Sequence, residues 1–119
     1  MNFVKQKAIY MQIADFILDN ILAQNLQAGA RMQSVREMAA SVQVNPNTVM
    51  RTFNYLQEQG VIFNKRGVGY FVADDAVEKT KDLKKSAFVN QHLPQVFKMM
   101  DLLGLDFKDL KKLYDEQKG

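Results

Sequence analysis

No cysteine occurs anywhere in the chain, which removes disulfides, thiolate metal sites and cysteine nucleophiles together and fits a reducing compartment. Histidine occurs once. With neither a Ser/His/Asp set nor paired carboxylates at a working spacing, the chain does not read as an enzyme. No apolar run approaches the roughly 18 residues of a membrane span. The amino terminus, Met1-Asn2-Phe3-Val4-Lys5, lacks the apolar core of a signal peptide. The expectation is therefore a soluble, unexported, cytoplasmic protein without a membrane partner.

What is present suffices for one core. At 119 residues, 47% of them hydrophobic, the chain can bury one domain and a short accessory element, but not two full domains. It carries no internal repeat and no low-complexity tract. The formal net charge is only +3, so placement matters more than the total. Between Arg31 and Gly69 stand Arg31, Arg36, Arg51, Lys65 and Arg66 against Glu37 and Glu58. That stretch accounts for the whole positive excess.

Ile9, Ile13, Phe16, Ile17 and Ile21 recur at helical spacing and predict a first amphipathic helix ending near Gln24. Gln27-Ala28-Gly29-Ala30 follows as a turn, and Arg31-Met32-Gln33 as a short extended piece. Ser34-Val35-Arg36-Glu37 has the form of a capping box and starts a second helix, whose Val35, Met38, Ala39 and Val42 should face the first. Asn45-Pro46 restarts a helix almost at once, Asn as cap and Pro at the first helical position. That third helix places Val49, Thr52, Phe53 and Leu56 on one face and stops at Gly60.

Val61-Ile62-Phe63-Asn64 and Tyr70-Phe71-Val72 are strand-prone runs flanking the glycine-rich, basic tip Lys65-Arg66-Gly67-Val68-Gly69. After Asp74-Asp75 a Lys-rich helical segment carries Ala76, Thr80, Leu83 and Ala87, and Pro94 is expected to interrupt it. Leu93, Val96, Phe97, Met100 and Leu103 continue a stripe to Gly104. Asp106 then caps a last helix expected to hold Phe107, Leu110, Leu113 and Tyr114 inside.

Two short helices around a tight turn, followed by a basic hairpin, are the layout of a winged helix-turn-helix whose third helix enters a DNA major groove. The outward face of that helix carries Asn47, Thr48, Arg51 and Tyr55. Arginine can bond a guanine edge bidentately, asparagine an adenine edge, and threonine a phosphate or a thymine methyl. The predicted architecture is thus mainly α with a small β-hairpin. Residues 1–75 form a DNA-binding winged helix and residues 76–119 a helical dimerisation or effector tail.

Five blocks in order resemble the signatures of GntR-family regulators: Ile9-Tyr10-Met11-Gln12-Ile13-Ala14, Ala28-Gly29-Ala30-Arg31-Met32, Ser34 to Ala39, Val44 to Val49, and Leu56 to Ile62. The Asn-Pro-Asn-Thr turn and the short tail are similar to the YtrA subfamily, which lacks a large ligand-binding domain. The resemblance implies a DNA-contacting arginine at Arg36, polar contacts from Asn45, Asn47 and Thr48, and a wing-tip pair at Arg66 and Gly67. It also implies control of a neighbouring transporter operon. Two positions that often hold arginine in the family are Pro46 and Met50 here, with Arg51 beside the second, so an operator cannot be borrowed from relatives. Gln33 replaces the usual proline before Ser34 and should loosen that turn.

The expected DNA-binding set is Ser34, Arg36, Asn45, Asn47, Thr48, Arg51, Lys65, Arg66 and Gly67, acting on double-stranded DNA. The tail's apolar positions exceed what one small core needs, so Leu83, Ala87, Val96, Phe97, Met100 and Leu110 are expected to form a homodimer interface. Met99 and Met100 beside His92 are read as core filler, not a metal site, and no cofactor is expected. Lys79, Lys81, Lys84 and Lys85 are read as a solvated face. Any small-molecule effector would sit in a cleft between subunits or between tail and winged helix. The competing reading keeps the winged helix but uses it as a protein-interaction module.

Overall fold

Helix α1 (Ile9–Leu22) buries Ile13, Ala14, Ile17, Leu18 and Ile21. At about 100° per residue, those five define an arc that leaves Ile9 and Phe16 on its flank. They are 54% and 61% exposed. The expected stripe was therefore rotated, with Ala14 and Leu18 taking the core positions assigned to the larger side chains. The computed structural model describes residues 7–119; the reading of the first five residues as an unexported amino terminus lies outside the described residues. By compactness the chain divides into one unit ending at Asp82 and a second from Leu83 to Gly119.

Ser34 caps α2 (Val35–Val42) as its sequence predicts. The Ser34 hydroxyl accepts from the Glu37 amide at 3.1 Å, and the Ser34 amide donates to Glu37 Oε1 at 3.0 Å. The hydrogen bond from the Ser34 amide to Oε1, together with the Ser34 hydroxyl, holds the Glu37 carboxyl below its usual range. The Ser34 amide contributes most and the hydroxyl next; slight desolvation opposes them, and the charge of Arg31 adds the smallest pull. Gln33, expected to loosen this turn, offers its side-chain oxygen 3.3 Å from the Ser41 hydroxyl in the last turn of α2, as the alternative to the Met38 carbonyl at 3.1 Å.

Helix α3 (Pro46–Glu58) follows after Gln43, which closes α2 in a left-handed conformation with φ 56°. Asn45 caps α3 through its side-chain oxygen, which accepts from the Asn47 amide at 2.8 Å. Val49, Thr52, Phe53 and Leu56 are fully buried. Both α1 and α2 pack on α3. The sequence had pointed α2 toward α1, but α3 is its main partner, and Val42 stays exposed. Gly60, at φ 75°, supplies the left-handed residue just past the end of α3.

Thr52 joins α3 to α1. Its hydroxyl donates to the Tyr10 carbonyl at 2.7 Å, with the Thr48 carbonyl 3.2 Å away as the alternative acceptor. Strand β1 (Ile62–Lys65) pairs antiparallel with β2 (Gly69–Val72), Ile62 opposite Val72 and Lys65 opposite Gly69. The Val68 amide donates to the Lys65 carbonyl at 2.9 Å. Gly67, at φ 78°, takes the position of a type II turn that requires positive φ. The residues after Gly29 add a third extended piece along the other edge of β2. Met32 donates to Tyr70 at 2.8 Å, Val72 donates to Ala30 at 2.9 Å, and Arg31 bridges Phe71. Phe53 meets Tyr70 edge-on at 4.8 Å and anchors this small sheet to α3.

Helix α4 (Ala76–Ala87) buries Ala76 and Thr80. A π turn over Phe88–His92 leads from it into α5 (Leu93–Leu103). Pro94 does not interrupt the helix as expected. The Leu93 amide reaches back five residues to the Phe88 carbonyl, and the proline falls in the first turn of α5, where its missing amide is not needed. After Gly104, Asp106 and Asp109 form a second capping box for α6 (Phe107–Lys118). No residue of α5 or α6 is buried. Phe107 and Tyr114, expected inside, are 72% and 59% exposed.

Two substitutions check this account. Thr52→Val keeps shape and loses the bond to Tyr10, so urea unfolding is expected to show a loss of about 1 kcal/mol, while Thr52→Ser stays near the parent. Ser34→Ala removes half of the capping box at a cost of about 1 kcal/mol and should return the Glu37 titration midpoint upward in a pH series read by NMR. Because the folded pKa of Glu37 lies below the unfolded one, its contribution is complete above the unfolded value and is lost as pH falls through the folded one. Because the backbone amide, the larger cause, survives in Ser34→Ala, the return should be partial, and a midpoint that does not move at all would refute the share assigned to the hydroxyl.

Candidate nucleic-acid interface

The expected DNA-facing residues occupy three consecutive pieces of the first unit. At the start of α2, the Ser34 hydroxyl accepts from the Glu37 amide and also acts on the Glu37 carboxylate, so it meets a ligand only by exchanging that second contact. Arg36, two residues on, is exposed. In the turn, Asn45 differs from the rest of the set. Its side-chain oxygen is committed to the Asn47 amide, so only its amide group could serve a ligand.

On α3, Asn47 and Arg51 are exposed one turn apart and Thr48 is half-buried beside them. Arg51 has an aromatic partner: its guanidinium carbon lies 4.0 Å from the centre of the Tyr10 ring. On the hairpin, Lys65 lies 5.1 Å from the Phe71 ring centre, and Arg66 and Gly67 form the exposed tip.

Two residues outside the expected set lie against it. Arg31 lies on the added extended piece, and its guanidinium crosses Gly69 so closely that a Cβ there would come 3.3 Å from Nε. It adds a third cation to the hairpin. Its sequence signal was the block Ala28 to Met32, which resembled a family signature and put Arg31 in the basic stretch without assigning it a contact. Tyr10, under Arg51, is the second, and nothing local in the sequence joins positions 41 residues apart.

Electrostatically the site is uniform. Among the described residues, none of Arg31, Arg36, Arg51, Lys65 and Arg66 stands in an ion pair with a carboxylate. Lysine and arginine left unneutralised across a helix start, an outward helix face and a hairpin tip suit a polyanion backbone, and the amides and hydroxyls at 34, 47 and 48 suit base edges or phosphates. Among the described residues no group of three His, Cys, Asp or Glu could hold a metal ion, and no helix is long and apolar enough to cross a membrane.

The expected dimerisation residues all lie in the second unit. Leu83, Ala87, Met100 and Leu110 are half-buried, while Val96 and Phe97 are exposed. Leu102 and Leu103, at 72% and 65% exposure, were not in that expected set and are further exposed apolar side chains of α5.

The sequence profile described as "Bacterial regulatory proteins, gntR family" matches residues 9–72, from the first turn of α1 to the end of β2. The HTH-type transcriptional regulator YhcF of Bacillus subtilis is 36% identical over 91% of this chain and 88% of its own length. The HTH-type transcriptional repressor YtrA of the same organism is 28% identical over 91% of this chain and 82% of its own. Among solved structures, a GntR-family regulator from Bacteroides thetaiotaomicron superposes with a TM-score of 0.80 at 44% identity, covering 92% of this chain and 95% of that one. With its helix-turn-helix, its two-stranded wing and relatives that are transcriptional regulators and not enzymes, this chain belongs to the GntR family of DNA-binding transcriptional regulators, on the YtrA-like side of it.

Proposed function

We propose that the protein is a cytoplasmic repressor that binds an inverted-repeat operator as a homodimer. Each subunit lays α3 in a major groove with Asn47, Thr48 and Arg51 toward base edges, while Ser34, Arg36, Lys65, Arg66 and Gly67 hold phosphates or the adjacent minor groove. Arg31 joins the wing contacts. The observation that carries this reading is the row of cations, none in an ion pair with a carboxylate among the described residues, running from the start of α2 to the wing tip. Repression is taken from the likeness to YtrA, and the same kinship points to a neighbouring transporter operon as target. A protein-interaction module would more often expose large apolar anchors on α3. Met50 is the one such side chain there, and it is only 37% exposed.

The dimer rests on the second unit, which makes up most of the tail proposed over 76–119. Helices α5 and α6 bury nothing and expose Phe97, Leu102, Leu103 and Phe107. A surface that apolar needs a partner, and a second copy supplies an equal one through a two-fold axis. An effector, if one acts, would sit in the cleft such pairing creates.

Fluorescence titration of the protein against its own upstream region tests the DNA reading. With about six to ten phosphates neutralised per dimer, affinity should fall roughly 10³- to 10⁵-fold between 50 and 200 mM salt, and Arg51→Ala should weaken specific binding while leaving the protein folded. A flat salt response would sink it. For the dimer, sedimentation at micromolar concentration should give twice the chain mass, and Phe97→Asp combined with Leu103→Asp should give the monomer. A parent protein that sediments as a monomer would refute the interface.

A further inference from the structure

We infer that Tyr10, on α1 and outside the helix-turn-helix itself, is a positioning residue for operator recognition: its ring holds the Arg51 guanidinium in the orientation in which it reads a base. The inference rests on the DNA-binding reading above and deepens it.

Arg51 is the sole cation of α3, whose sequence is PNTVMRTFNYLQE. Charge-assisted readout from this helix therefore depends on one long side chain. A free arginine samples many rotamers and gives most of them up on binding a base edge. Here the guanidinium already rests on an aromatic face, 4.0 Å from the ring centre. A guanidinium carbon this close to the ring centre is compatible with stacking through the flat face of the group. The N–H donors lie in its plane and point outward, so the contact leaves them free for the two acceptors of a guanine edge.

The backbone that carries the ring is itself fixed. The Tyr10 carbonyl accepts the Thr52 hydroxyl at 2.7 Å, and Thr52 is fully buried. Residues 51 and 52 thus grip the same residue of α1 by two different groups: one outside by the ring, one inside by the backbone. Removing the ring leaves the backbone bond in place. That allows the two roles to be separated by experiment.

The test uses the full chain with the parent, Tyr10→Phe, Tyr10→Leu, Arg51→Ala and the double variant Tyr10→Leu/Arg51→Ala, titrated at fixed salt with the upstream operator duplex and a scrambled duplex. A cation–π contact of this kind is worth roughly threefold per subunit and so about tenfold for a site engaging two. Tyr10→Leu should lose about that factor on operator and little on scrambled DNA; Tyr10→Phe should restore it; the loss should vanish in the Arg51→Ala background. In the free protein the Arg51 side-chain protons should be shifted upfield by the ring and return to ordinary positions in Tyr10→Leu. An equal loss with and without Arg51 would overturn the inference, as would tighter operator binding by Tyr10→Leu, which would mean the ring holds Arg51 back. Parent protein indifferent to sequence would bring down the DNA reading itself, whereas parent-like discrimination by Tyr10→Leu would bring down only this inference.

Discussion

How α3 sits on α1 decides what its outer face can do, and the seat is made at one residue. Tyr10 receives the Thr52 hydroxyl on its carbonyl and the Arg51 guanidinium on its ring. A helix fixed only by apolar packing can slide or roll by a fraction of a turn at little cost, because the hydrophobic effect is non-directional. A buried hydrogen bond is directional and sets the roll. With the roll of α3 set, Val49, Phe53 and Leu56 point inward and Asn47 and Arg51 outward without further adjustment. Phe53 then carries the constraint to the wing through its edge contact with Tyr70.

The composition divides along the same line. The fully buried aliphatic and aromatic side chains all belong to the first unit, which completes a core from three helices, the wing strands and the first turns of α4. Beyond it, Phe97, Leu102, Leu103, Phe107, Leu113 and Tyr114 remain at the surface. A chain of this length could have folded a smaller tail or none. Retaining so many apolar side chains in helices that bury nothing makes sense when their partner is another molecule.

What could be read in advance was what local chemistry dictates. The Ser34–Glu37 box, the Asn45-Pro46 start, the stop at Gly60 and the Gly67 turn each depend on two to four neighbouring residues, and each stands where the sequence put it. The site's polar face followed from those boundaries. What could not be read were relations between distant segments. Phe16 fits the helical period as well as Ala14 does, and only the packed neighbours decide which side is buried. Arg31 joins β2 across 40 residues, and Arg51 meets Tyr10 across 41. Pro94 misled for a different reason: a π turn ahead of it removes the conflict that proline normally creates, and no residue type announces that turn.

The scarcity of cations shapes how such a site must work. Five cations spread over α2, α3 and the wing supply a limited number of phosphate neutralisations per subunit, and Pro46 and Met50 stand where many family members carry arginine. The non-specific, salt-dependent part of duplex affinity comes from the phosphates neutralised, so few cations per subunit imply modest binding by one subunit on the DNA-binding reading. Joining two subunits converts the second engagement into an intramolecular step and raises affinity only where both half-sites lie at the right spacing. On the dimeric reading, then, the apolar tail and the sparse charge are complementary. The tail supplies through pairing what the recognition surface lacks in charge, and weak single-subunit binding is what lets spacing and base sequence, not charge alone, select the site.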